Sequence, residues 1–119
     1  MRDFRELLVW DKAHKLTLEI YKRTRRFPRE ELYSITSQIR RAASAIPANI
    51  AEGCGKGSGP DFARYLQIAL GSACECEYHL LLSHDLNLLE TEEYRLLEAN
   101  LTEVKRMLAA LIAKVRADG

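Results

Sequence analysis

The sequence predicts an all-α fold, an antiparallel up-down-up-down four-helix bundle, on three observations. Apolar residues recur at steps of three and four through successive segments. Clusters of helix-breaking residues separate those segments by short connections, which favour antiparallel neighbours. No stretch sustains the period-two alternation of β-branched residues that marks a strand. A chain of 119 residues suits one domain, 1–119, with helices at roughly 9–25, 29–52, 60–87 and 92–116.

The first helix sets Trp10, Ala13, Leu16, Ile20 and Thr24 on one side. Its end is marked by Phe27-Pro28. Pro28 fits the first turn of a second helix, whose positive N-terminal end Glu30 and Glu31 favour. In that helix Leu32, Ile35, Ile39, Ala42, Ile46 and Ile50 form the seam, and Pro47 lies within it. An internal proline removes a hydrogen bond and clashes with the preceding turn, at about 3 kcal/mol. The apolar pattern nevertheless continues to Ile50, so the expectation is one helix kinked at Pro47. The carbonyl of Ala43 is then freed, and Asn49 is the nearest amide to repair the local bonding.

Four alternating glycines, Gly53, Gly55, Gly57 and Gly59, close this helix, with Gly53 expected just past its end and Pro60 opening the next. The third helix carries Phe62, Leu66, Ala69, Ala73, Cys76, Leu80 and Ser83. Thr91 is expected to cap the fourth, which carries Tyr94, Leu97, Leu101, Val104, Leu108, Leu111 and Val115. These are the narrow seams of helical bundles.

Other apolar residues lie off the seams. Tyr65, Ile68, Leu82 and Leu86 form a second stripe on the third helix, together with Ser72, Glu75 and His79. Phe4, Leu7, Leu8 and Val9 cluster before the first. Either the core faces are wide, or these residues meet another subunit.

Hydrophobic residues make up 47% and charged residues 29%, which excludes a disordered chain. Three cysteines, Cys54, Cys74 and Cys76, without a disulfide framework point to a reducing compartment. The N-terminus lacks a signal-peptide core, and the longest apolar run, Met107 to Ala113, is far short of the ~18 residues of a membrane span. A cytoplasmic protein with no membrane partner is expected.

The net charge of +1 conceals an asymmetry: residues 1–47 hold 11 Lys/Arg against 6 Asp/Glu, and residues 48–119 hold 7 against 11. Lys22, Arg23, Arg25, Arg26 and Arg29 crowd the first connection, and Arg40 and Arg41 follow. These seven are the candidate nucleic-acid-binding residues, a basic surface for phosphates. The competing reading pairs them with acidic helices within or between subunits. Few aromatics interleave with them, so no base-stacking platform is indicated.

Catalytic signals are weak. The Gly53–Ser58 loop resembles a phosphate loop in composition, but Lys56 is not followed by Ser or Thr, and a helix precedes the loop. An anion at the helix N-terminus near Pro60 is the most it offers. Glu75 with His79, and Cys76 with His79, share helix faces, but there is neither the paired Glu-x-x-His of di-metal bundles nor a second Cys/His pair to close a zinc site. No elbow motif surrounds any serine. No catalytic, cofactor-binding or metal-ligating residue is therefore assigned, and no cofactor is expected. Glu75 is expected to be buried and paired with Arg40 or Arg41.

The run Gln38-Ile39-Arg40-Arg41-Ala42-Ala43-Ser44-Ala45-Ile46-Pro47-Ala48-Asn49-Ile50-Ala51-Glu52-Gly53 resembles the signature of the four-helix-bundle family related to proteins encoded in intervening sequences of 23S ribosomal RNA genes (ribosomal S23-like). Leu8-Val9-Trp10, Ala13, Tyr21, Phe27-Pro28, Phe62, Ala69-Leu70-Gly71-Ser72-Ala73, Glu75 and Asp85-Leu86 extend the resemblance over essentially the whole chain. Tyr33-Ser34-Ile35 stands where the family commonly has Tyr-Gly-Leu, and the Cys74–Cys76 region is unusually rich in cysteine. The resemblance implies an antiparallel four-helix bundle, a ring-shaped homopentamer and a cytosolic protein without established enzyme activity. A similar protein is the accessory factor of diversity-generating retroelements, a basic pentamer that works with a reverse transcriptase and nucleic acid. Pro47, Asn49, Glu52, Gly53, Gly71 and Glu75 fall on motif positions and are assigned to fold and assembly.

The expectation is a non-enzymatic homo-oligomer that contacts RNA or a nucleic-acid-associated protein through its basic segment. Two alternatives stand beside it: a protein-binding adaptor without nucleic acid, and a metal-dependent enzyme with a site at a subunit junction involving Glu75 and His79.

Overall fold

Four long helices form in the computed structural model, which describes residues 2–119: α1, Leu8–Thr24; α2, Ser37–Cys54; α3, Gly59–Asp85; and α4, Thr91–Asp118. Each packs on its sequence neighbours, and α1 closes the ring against α4. Contacts at the helix ends fix the directions. The backbone N–H of Arg2 donates to the carbonyl of Cys54, which sets the chain start beside the end of α2. Arg40, early in α2, reaches Tyr21 and Thr24, late in α1. Arg23, late in α1, reaches Glu93 at the start of α4. Neighbouring helices are therefore antiparallel, in a bundle of 46 × 23 × 20 Å.

The seams read from the sequence line one core. Ala13, Leu16, Ile20, Ile39, Ile46, Ile50, Phe62, Leu66, Leu80, Leu97, Leu101 and Leu108 are all nearly or completely inaccessible. Burying a side chain of the Leu, Ile or Phe class gains about 1.5–3 kcal/mol. On α4 the seam drifts, so that Ile112 is buried and Leu111 only partly so. A straight helix of 3.6 residues per turn cannot hold a seven-residue repeat on one line for 28 residues. Leu32, expected in the α2 seam, is 43% exposed.

That exposure follows from where the second helix begins. The expected start at residue 29 gives way to a 3-10 turn, Arg29–Glu31, and a π turn, Leu32–Thr36, with Ser34 outside helical geometry at φ −124° and ψ −107°. Hydroxyls offer the backbone other bonds here: Ser34 Oγ lies 3.3 Å from the Glu31 carbonyl, with a Glu31 carboxylate oxygen at 2.8 Å, and Ser37 Oγ donates to the Ser34 carbonyl at 3.2 Å. Regular α-helix starts at Ser37 and runs without interruption through Pro47 to Cys54.

The orphan that Pro47 creates shares a hydroxyl donor from another helix. Thr17 Oγ1, buried on α1, lies 3.1 Å from the Ala43 carbonyl and 2.8 Å from its own Ala13 carbonyl. The Asn49 amide, expected to serve, instead donates to the Ala45 carbonyl at 2.8 Å. Asn49 lies two residues beyond the proline, so its side chain reaches back one turn to residue 45 rather than to residue 43. Thr17→Val keeps the shape and removes the donor, so it should cost about 1–3 kcal/mol in urea unfolding, whereas Thr17→Ser should stay close to the parent. Equal stability of the valine variant would mean that Ala43 needs no bond from α1.

Two helix ends differ from expectation. Gly53 is inside α2 and buried, not past its end, and the terminal cap is Gly55. Glu90, not Thr91, caps α4, with the Glu90 N–H donating to Glu93 Oε1 at 3.3 Å. Ser58 caps α3 by accepting from the Asp61 N–H at 3.2 Å, and Pro60 lies in its first turn. Among the described residues no helix is long and apolar enough to cross a membrane.

Candidate nucleic-acid interface

The corner where α1 ends and α2 begins holds all seven basic candidates, and they divide by partner. Phe27, 8% exposed, anchors the connection in the core.

Arg23 and Arg26 turn to α4. Arg23 donates to Glu93 Oε2 at 3.0 Å and to Glu19 Oε1 at 3.1 and 3.3 Å, and Arg26 pairs with the same Glu93 oxygen. Glu93 is only 8% exposed. Burial alone would raise its pKa, but the hydrogen bond from Arg23, the Glu90 N–H and the Arg26 charge together hold the carboxyl below its ordinary range. Two of the seven candidates are thus internal ion-pair partners, as the competing reading of the charge pattern had it.

Arg40 is fixed without a carboxylate. Its Nε donates to Thr24 Oγ1 at 2.9 Å, its Nη2 to the Tyr21 carbonyl at 3.3 Å, and its guanidinium lies over the Tyr21 ring at 4.8 Å. Stacking and neutral acceptors hold it in place while leaving its charge uncompensated. Lys22, Arg25, Arg29 and Arg41 are exposed and have no ion pair among the described residues. Five of the seven cations therefore stand free of carboxylates at one corner of the bundle.

Glu75 does not meet Arg40 or Arg41. Its side chain is 57% exposed and lies 3.3 Å from His79 Nε2 on its own helix. The pairing fails because residue 75 lies mid-way along α3, while both arginines sit at the α1–α2 corner. No group of three or more His, Cys, Asp or Glu is arranged to hold a metal among the described residues. Burial pushes the Cys76 thiol up to about 12, helped by Glu75 and Glu77, and burial raises the Cys54 thiol too. Neither has the lowered pKa of a reactive thiol. Cys74 is exposed.

Of the motif positions, Pro47 is buried in α2, Asn49 bonds within its helix and Glu52 is exposed. At Gly53 an added Cβ would lie 2.8 Å from Tyr65 Cβ and 3.1 Å from Phe62 Cδ1, so α3 passes too close for any side chain. At Gly71 an added Cβ would meet nothing within 4 Å.

The second stripe on α3 is a flank of the core: His79 is buried and Tyr65, Ser72 and Leu82 partly so, while Ile68 and Leu86 are exposed. The seam facing outward lies beside it, at Gly71, Cys74, Tyr78 and Leu81, again at steps of three, four and three. Tyr78 is 57% and Leu81 43% exposed. The spacing was present in the sequence, but Gly71 and Cys74 carry too little apolar surface to draw attention to it. Of the cluster before α1, Val9 is buried and Phe4 and Leu7 partly so, with Leu8 projecting at 74% exposure.

Comparison with known proteins agrees with this architecture. A crystal structure of a protein of unknown function from the S23 ribosomal protein family of Bacteroides thetaiotaomicron superposes with a TM-score of 0.80 at 30% identity, over 88% of this chain and 98% of that one. No curated protein matches the sequence. Residues 5–110 match the 23S rRNA-intervening sequence proteins, nearly the whole bundle, and the chain belongs to that family.

Proposed function

We propose that the protein is a non-enzymatic, homo-oligomeric interaction module, a pentamer by its resemblance, that contacts RNA through the α1–α2 corner. The observation that carries this reading is the set of five cations, Lys22, Arg25, Arg29, Arg40 and Arg41, that lack carboxylate partners while Arg23 and Arg26 beside them are neutralised. A surface whose charges are left uncompensated over so short a span suits the evenly spaced phosphates of a nucleic-acid backbone. Assembly would repeat the corner once per subunit, so that weak single contacts sum.

The outward seam of α3 supports self-association. Gly71, Cys74, Tyr78 and Leu81 have the spacing of a helix-pairing stripe and are all exposed. Static light scattering at micromolar concentration should report a multiple of the 13.6 kDa subunit, and a well-folded single subunit would remove the assembly.

Binding to RNA should weaken steeply with salt. If four or five cations per subunit meet phosphates, the logarithmic salt slope should be about −3 to −4 per engaged subunit, from the ~0.7 per contact of a single strand. Fluorescence anisotropy with a labelled single-stranded RNA checks this. Binding that is absent at low ionic strength, or indifferent to salt, would remove the nucleic-acid reading and leave partners that survive nuclease treatment as the alternative.

A further inference from the structure

The free cations are not spread evenly over the corner. Arg25, Arg29 and Arg40 line one pocket of about 240 Å³, floored by Phe27 and walled by Leu32 and Thr36. Local chemistry brings them together. α1 ends at Thr24, Phe27 is drawn into the core, and Pro28 follows in extended geometry at φ −55° and ψ 145°. The first turn of α2 supplies Arg40, tethered to Thr24 and Tyr21.

We propose that this pocket binds a single phosphate group. Three arginines line it, and none has a carboxylate within 4 Å among the described residues. The Glu31 carboxylate on the same connection is engaged by Ser34 Oγ at 2.8 Å. Three positive charges around one pocket, uncompensated by a carboxylate, favour a doubly charged oxyanion. Guanidinium forks match phosphate oxygens in pairs, and Arg40, with Nε and Nη2 already bonded, keeps Nη1 for a ligand.

A second observation points the same way. Thr36, a lining residue of this pocket, is 3% exposed, and its hydroxyl is buried without a hydrogen-bond partner among the described residues. An unmade bond of this kind costs about 1–3 kcal/mol. The volume also selects the ligand. It is below the roughly 300–1,000 Å³ of pockets that enclose a whole organic molecule, so the pocket takes a group rather than a molecule.

The proposal rests on the reading of this corner as a phosphate-binding face, and it narrows that face to three arginines. Two sources carry the same chemistry, a free phosphate ion and a phosphate of the RNA backbone, and the test separates them. Inorganic phosphate is titrated into the full-length protein at constant ionic strength, with chloride as the reference, and backbone amide shifts are followed by NMR. Residues 25–40 should shift saturably. Arg25→Gln and Arg29→Gln remove no bond within the chain, and each should weaken the midpoint about tenfold. Arg41→Gln, outside the pocket, should change it less than twofold. The same variants are then assayed for RNA binding.

Saturable phosphate binding that fails in the pocket variants, with RNA binding falling in the same order, supports the pocket and names RNA as the source. Saturable phosphate binding without any RNA binding supports the pocket and overturns the RNA reading. Phosphate shifts that never saturate, or that persist unchanged in Arg29→Gln, overturn the pocket. Saturable phosphate binding with RNA affinity lost equally in Arg41→Gln and Arg29→Gln supports the pocket for the free ion alone, and leaves the RNA reading standing on diffuse charge.

Discussion

Gly53→Ala should destabilise the protein by about 1–2 kcal/mol, and Gly53→Leu by more than about 3, although either residue is a better helix former than glycine. An alanine at an open helical position gains about 1 kcal/mol over glycine. Here that gain is outweighed, because the new Cβ would lie 2.8 Å from Tyr65 Cβ. That atom is fixed to the α3 backbone and cannot swing aside, so the helices themselves must separate. Phe62, 1% exposed and 3.1 Å from the same position, would be displaced with them. Gly71 provides the control inside the same bundle. Its Cβ would meet nothing within 4 Å, so Gly71→Ala should be neutral or stabilising by up to about 1 kcal/mol for the folded subunit. Urea unfolding of the two variants side by side is the measurement. Gly53→Ala as stable as the parent would mean that α2 and α3 do not approach as closely as described.

Gly53 also marks what the sequence could and could not disclose. Its position before a run of alternating glycines suggested a helix terminus, because local rules assign such glycines to chain reversal. The reason for a glycine there lies instead in α3, nine and twelve residues on, and no local rule sees that far. Pro47 divides in the same way. The freed carbonyl of Ala43 was legible, since a missing N–H follows from the residue type. The donor that answers it, Thr17, lies 26 residues earlier, and only the packing of α1 on α2 makes the pair.

The bundle itself was legible almost residue by residue, because burial follows periodicity and the seams were long. The second helix began late for a reason the periodicity could not carry: Ser34 and Ser37 draw the backbone into tight turns through their hydroxyls. At the candidate interface, composition located the cations and geometry divided them. Arg25 and Arg26 are adjacent and chemically identical, yet one lines an open pocket and the other reaches a buried carboxylate. Glu93 was invisible as the partner of Arg23 and Arg26. In the sequence it is one of several acids near the fourth helix start, where a first-turn acid needs no further explanation.

Glu93 carries the other large expected effect. Glu93→Gln should lower stability at pH 7 by about 1–3 kcal/mol and remove this carboxylate's share of the protein's acid sensitivity. A fully buried pair broken at one partner costs about 3–5 kcal/mol. The lower figure applies because the Arg26 side chain is 61% exposed and water screens its share, whereas Arg23 is 26% exposed. Loss of the charge leaves Arg23 facing Glu19 alone and Arg26 without a partner, and it loosens the tie between the end of α1 and the start of α4. The pH dependence follows from the direction of the shift. Burial opposes ionisation of Glu93, but the bonds from Arg23 and the Glu90 N–H, with the charge of Arg26, outweigh it, so the folded pKa lies below the unfolded 4.5. A group shifted down in this way stabilises fully above its unfolded value and loses that contribution as pH falls through the folded one. The parent and Glu93→Gln should therefore differ most near neutrality and converge in acid, where the parent carboxyl is protonated and resembles the amide. Unfolding free energies measured by urea at several pH values between 7 and about 3 follow the convergence. A constant difference across that range would mean that the glutamine packs poorly for reasons unrelated to charge. Raised ionic strength should narrow the gap at pH 7 in part, through the exposed Arg26, and leave most of the Arg23 contribution in place.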